Sequence, residues 1–235
     1  FFDQLRMKKD MHSKQGQKIA ITGIGVVSPI GIGKDAFFEG LEEGRSGFRP
    51  VTLFASDRPR LAAEVPNFDP KLYLGDMSVR NLDRTTTMLL VASKLAMDDA
   101  GAAITPENAT EMGIVIGSTM GSISSVSKFD RDVLKNGYKN ANPGVFPSLV
   151  MCAAASQVSI KFGIKGLIST ISSGYASGLD AMGYAVSAIE TGKVKRVLVG
   201  AVEELCEEIY RGFSKLGLLA GTTAKREELC TPFDK

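Results

Sequence analysis

Ile168-Ser169-Thr170-Ile171-Ser172-Ser173-Gly174-Tyr175-Ala176-Ser177-Gly178 is the stretch on which the reading of this chain turns. A short β-branched strand runs through small residues directly into a helix. Such a turn delivers its boundary residue to a helix N-terminus, where unpaired N–H groups and the positive end of the helix dipole favour an anion. A cysteine placed there ionises readily, whereas a phenol stays protonated at neutral pH. Taken alone, Tyr175 reads as an aromatic packed where strand meets helix. It becomes interesting only through its neighbours.

Outward from this turn, strands and helices alternate. Lys18 to Val27 (KIAITGIGVV) reads as a buried strand and Lys34 to Glu43 as a helix closed by Gly44. Pro, Asp and Gly make Arg45 to Met77 an irregular excursion. Thr85 to Ala100 predicts a helix ended by Gly101, with a short turn opening at Thr105-Pro106. Gly113 to Gly117 reads as a strand, followed by the Gly- and Ser-rich Ser118 to Ser125, a polar helix from Ser127 to Lys135, a loop over Asn136 to Gly144 and a helix from Pro147 to Phe162. After the strand into Tyr175 come a helix from Ala176 to Thr191 and a strand from Arg196 to Val202. This order predicts an α/β fold, a largely parallel sheet with helices on both faces. In the helix after Tyr175, Leu179, Met182, Val186 and Ile189 form one apolar stripe and the remaining positions are mostly Gly, Ala and Ser. A helix so poor in charge and bulk is expected to be surrounded by protein on nearly all sides.

Composition excludes several classes. With 235 residues, 44% hydrophobic and 23% charged, the chain can bury a large core. A net charge of +2 leaves no basic footprint for nucleic acid. No apolar stretch approaches the ~20 residues of a membrane helix, so no membrane contact and a cytoplasmic location are expected. Cys152, Cys206 and Cys230 have neither disulfide-framework nor metal-ligand spacing and read as buried apolar thiols. The single histidine, His12, falls in residues 1–17, which read as a flexible polar leader. An imidazole base or a His-rich metal site is hard to build from these residues. The chain opens on Phe1 and stops at Lys235, and three origins stay open: a fragment, a processed product or a split subunit.

Other motif-like strings carry little. Gly23-Ile24-Gly25-Val26-Val27-Ser28 follows a strand, but its third fingerprint position is Ser and Pro29 follows at once, a poor start for a phosphate-binding helix. Gly33-Lys34 lacks the earlier glycine of a P-loop. Gly174-Tyr175-Ala176-Ser177-Gly178 sets Ser one place away from a hydrolase elbow. Glu203, Glu204, Glu207 and Glu208 read as a solvated or interface-facing surface rather than a metal site. No cofactor and no metal are expected.

The turn resembles the nucleophile turn of the β-ketoacyl-acyl-carrier-protein synthases, which carry cysteine where this chain has Tyr175. The resemblance extends along the chain: KIAITGIGVVSPIG from Lys18, Gly44-Arg45-Ser46-Gly47-Phe48, Asp83-Arg84-Thr85, Pro147-Ser148, Phe162-Gly163-Ile164-Lys165-Gly166, Ala188 to Gly192, Val197 to Glu203 and Thr231-Pro232-Phe233-Asp234 follow the family's order and spacing. It implies a layered αβαβα thiolase-like fold of two related halves, with residues 18–235 as the N-terminal half. The paired histidines and the lysine of the family belong to the other half. The ring of Tyr175 is then expected to fill volume an acyl chain would occupy. The resemblance therefore implies a ketosynthase-like subunit of fatty acid or type II polyketide synthesis, comparable to the chain-length factors. Such a subunit pairs as a heterodimer with an active ketosynthase, shapes the tunnel for the acyl or polyketide chain, and meets acyl carrier protein. The usual inactive homologues carry glutamine, and this chain departs from them. Two alternatives remain: a ketosynthase altered at its nucleophile or completed by a separate C-terminal half, doing decarboxylative condensation, and a non-catalytic scaffold for carrier protein.

Overall fold

The computed structural model describes residues 18–55, 61–65, 67–220 and 230. The leader 1–17 with His12 and the Thr231-Pro232-Phe233-Asp234 motif lie outside the described residues.

The centre is a strand that the sequence marks clearly. Met112–Gly117 (MGIVIG, β5) is buried at every position, as expected for the middle strand of a parallel sheet covered on both faces. It pairs in parallel with Ile168–Ile171 (β6) on one side and Arg196–Ala201 (β7) on the other. Because successive side chains point to opposite faces, Ile114 and Ile116 enter one core and Val115 the other. The first core joins them to Leu90 and Val91 of Arg84–Asp99 (α3) and to Ala155 and Val158 of Ala153–Phe162 (α5). The second joins Val115 to Ala181 and Ala185 of Ser177–Glu190 (α6). The α/β expectation is met: helices flank a parallel sheet. Each fully buried aliphatic side chain in these cores stabilises the fold by about 1.5–3 kcal/mol.

The remaining elements surround this sandwich. Val27–Ser28 (β1) and Gly31–Ile32 (β2) form a small antiparallel hairpin before Lys34–Glu42 (α1). Arg49–Pro50 (β3) pairs with Leu61–Ala62 (β4), and Lys71–Leu74 (α2) follows. The Gly- and Ser-rich loop after β5 leads into Ile123–Asn136 (α4), and Glu207–Lys215 (α7) follows β7. Asp83 caps α3, its Oδ1 accepting from Thr86 N at 2.7 Å. No helix among the described residues is long and apolar enough to cross a membrane.

Four expectations are corrected. Lys18 to Val27 does not form a strand; only Val27–Ser28 joins a ladder. Its glycines serve another contact: a Cβ on Gly25 would fall 1.9 Å from the Ala92 carbonyl oxygen, and one on Gly23 2.3 Å from that of Ala96. The segment therefore lies against the Ala92, Ala96 and Ala100 edge of α3, and Ile24 N donates to Asp99 Oδ2 at 2.9 Å. The expected helix from Pro147 to Phe162 is two pieces, a 3-10 helix Pro143–Ser148 and α5 from Ala153. The polar helix begins earlier than Ser127, at Ile123. Finally, α6 is not enclosed. Its small residues Ala181, Ala185 and Ala188 face the sheet because they permit close packing, and the bulky Leu179, Met182 and Val186 stay exposed.

Candidate functional site

In a parallel sheet the loops after the strands converge on the carboxyl edge, where ligand sites of α/β folds are built. Here that edge gathers the loop after β5 (Ser118 to Ser122), the turn after β6 (Ser172 to Ala176) and the segment after β7 (Val202 to Cys206). Tyr175 stands in the second of these, one residue before the cap of α6.

The turn is held by its own small residues. Gly174 adopts φ 81°, a conformation that suits glycine. Ser177 closes the turn onto α6: its Oγ donates to the Gly174 carbonyl and accepts from Ser173 N at 3.0 Å. Ser173 Oγ donates to the Asp180 carboxylate one turn into the helix. Beneath them the end of β5 must be glycine, since a Cβ on Gly117 would lie 2.4 Å from the Ser177 carbonyl. The first turn of α6 rests directly on that strand.

Tyr175 is 83% exposed, so it is not a packed aromatic. Its ring meets Phe213 of α7 at a centroid distance of 6.3 Å and a tilt of 57°. Leu179, in the first turn of α6, is 74% exposed. The described residues thus present Tyr175 on an open apolar face, and the expected filling of an acyl volume would require a further surface opposite it.

Of the acidic run only Glu204 departs from the expected surface position: Glu203 is exposed, Glu207 and Glu208 are partly covered, and Glu204 is buried. Glu203 Oε1 accepts from Ser118 Oγ at 3.1 Å, from Met120 N at 3.2 Å and from Thr119 N, tying the loop after β5 to the end of β7. Glu204 is only 3% exposed and accepts from Ser124 Oγ in the first turn of α4. Burial pushes its carboxyl above the usual range, and the neighbouring Asp83 pushes it further. Glu207 pairs with Arg211 and Glu208 with Arg131. These partners lie some 80 residues away or on α7 itself, and the spacing of the glutamates gave no sign of the distant ones. A shallow cleft beside Glu203 is lined by Val27, Val65, Met88 and Leu205, with Arg84 held by the Val65 carbonyl at 3.0 Å and over the Phe68 ring. Among the described residues no group of three or more His, Cys, Asp or Glu could hold a metal ion.

The cysteines divide. Cys206 is buried as expected, and burial raises its thiol to about 11. Cys152 and Cys230 are exposed, contrary to expectation. Cys152 occupies the cap position of α5, outside the hydrophobic core.

Comparison with known proteins places this geometry. The family model for the beta-ketoacyl synthase N-terminal domain matches residues 16–235. A putative polyketide beta-ketoacyl synthase 1 of Streptomyces halstedii is 34% identical over 229 residues, 93% of this chain and 54% of that protein. The 3-oxoacyl-[acyl-carrier-protein] synthase 2 of Coxiella burnetii is 31% identical over 222 residues, again 93% and 54%. Among solved structures, the ishigamide ketosynthase/chain length factor superimposes with a TM-score of 0.77 at 26% identity, over 86% of this chain and 51% of that one. A type II polyketide acyl-carrier protein in complex with its ketosynthase gives 0.72 at 25%, over 91% and 52%. The chain spans about half the length of the relatives it matches. Its fold is the N-terminal half of the thiolase-like ketosynthase fold.

Proposed function

We propose, from the premise that this chain belongs to the β-ketoacyl synthase family, that it is a non-condensing ketosynthase-like subunit of fatty acid or type II polyketide synthesis. In this reading residues 18–235 are the N-terminal half of the fold, and Tyr175 occupies the position of the family nucleophile. The subunit pairs with a cysteine-bearing ketosynthase and shapes the tunnel for the growing chain, as a chain-length factor does. The observation that carries the reading is Tyr175 itself: a turn built to present one side chain at a helix N-terminus presents a phenol. A phenol is a poor anion at neutral pH and does not form the acyl thioester on which condensation depends. The exposed Leu179, Met182 and Val186 support the pairing, because an apolar face of this kind marks an interaction surface.

The test is coexpression of the tagged chain with an active ketosynthase, followed by native mass measurement and mass analysis of each subunit after incubation with acyl carrier protein charged with an acyl group. The expected result is a one-to-one complex in which only the cysteine-bearing subunit gains the acyl mass. A homodimer that refuses the partner would overturn the proposal. A second reading within the same family is a ketosynthase altered at its nucleophile or completed by a separate C-terminal half, and acylation of this chain once that half is supplied would support it.

A further inference from the structure

We infer that Thr119 and Glu203 are positioning residues for residue 175, a relay from carboxylate to hydroxyl that sets how the turn after β6 presents its side chain. The inference rests on the reading of that turn as the working face of the fold. Glu203 gathers three donors of the loop after β5 on one carboxylate oxygen: Ser118 Oγ at 3.1 Å, Met120 N at 3.2 Å and Thr119 N. Charge-assisted bonds of this kind are the stronger ones. The loop is stiffened again where Gly121 N donates to Ser118 Oγ at 3.0 Å. Held in this way, Thr119 directs its Oγ1 at the Gly174 carbonyl, 2.8 Å away.

That carbonyl lies in the same rigid peptide plane as the N–H of Tyr175. Fixing its direction therefore fixes the amide of residue 175 and the position of the Cα from which its side chain leaves. Gly174 has no side chain of its own to fix the peptide plane, and its φ of 81° is one that glycine adopts without strain. The Ser177 hydroxyl and amide also reach the Gly174 oxygen and tie it to the first residue of α6. The Thr119 bond adds a second reference, from the loop after the central strand, so the carbonyl is held from two elements. The consequence is directional: losing the hydroxyl should disorient residue 175 relative to the N-terminal dipole of α6 while leaving the core intact.

The test uses the full chain carrying Tyr175→Cys as a reporter, with Cys152→Ser and Cys230→Ser removing the exposed thiols. Cys206 stays silent because its thiol is buried and raised to about 11. The measurement is the pH dependence of iodoacetamide alkylation of the folded protein, alongside its melting temperature. The introduced thiol should titrate below the ~8.5 of a free cysteine. Thr119→Val should move that midpoint up by roughly half a unit to one unit and slow alkylation at pH 7 about three- to ten-fold. Thr119→Ser should restore the parent profile, and Glu203→Gln should fall between. Should the valine variant fail to fold, Glu203→Gln against Thr119→Ser carries the same comparison. An unchanged titration overturns the inference, including the case where the variants merely melt lower. The assay needs no partner chain, so a failure to pair with a ketosynthase would sink the proposed function and leave this outcome unaffected.

Discussion

Substituting Gly117 by alanine tests how the fold supports the turn that carries Tyr175. The added Cβ would stand 2.4 Å from both the carbonyl carbon and oxygen of Ser177 and 2.6 Å from Gly178 N, about 1 Å inside ordinary contact. Neither side can yield cheaply. β5 is paired on both edges, with Gly117 opposite Ile171 and Ala201, and the obstacle is helix backbone rather than a flexible side chain. Overpacking of this kind costs about 1–3 kcal/mol, which in a chain of this size lowers the melting temperature by roughly 2–12 °C. A matched control lies on the same helix: Gly183 has open space where its Cβ would go, so Gly183→Ala should stabilise α6 by about 0.5–1 kcal/mol. Melting followed by circular dichroism reads both signs, and hydrogen exchange of residues 177–181 should quicken in the Gly117 variant alone. A Gly117→Ala protein that melts like the parent with unchanged exchange would refute the placement of α6 on the end of β5.

Glu204, whose carboxyl is raised first by burial and then by Asp83, favours the folded state most below its ordinary value of 4.5. That contribution is lost as pH rises through the raised folded value, so the parent should lose stability relative to Glu204→Gln across that window. Parallel melting curves of the two proteins against pH would contradict this. Asp83→Ala removes the 2.7 Å cap of α3 and should cost about 0.5–2 kcal/mol by chemical denaturation. Thiol titration of the native chain at pH 7.5 should label Cys152 but not Cys206; adding denaturant should release Cys206.

The sheet and its flanking helices were readable because their residues obey local rules. MGIVIG is apolar at both parities, the mark of a strand covered on two faces, and Asp83 with Gly101 brackets α3. The turn at Tyr175 was readable for the same reason, as small residues between a β-branched run and a helix. What escaped depends on partners distant in sequence. Lys18 to Val27 has strand composition, yet its glycines lie against α3 rather than in a ladder. The stripe Leu179, Met182 and Val186 marks an amphipathic helix, but periodicity does not say which face meets the sheet, and alanine took it. The work of Glu203 on Thr119 spans 84 residues, beyond any local signal.

The most direct test of the account is the product profile of a reconstituted synthase, an active ketosynthase assayed with this chain, with its Tyr175→Ala variant and with its Leu179→Ala variant. If the chain pairs with the ketosynthase and shapes its tunnel, product length should be narrow with the parent chain and should shift with one or both variants, while the rate of acyl loading on the cysteine-bearing partner stays the same. Identical product lengths with and without this chain would contradict the central claim.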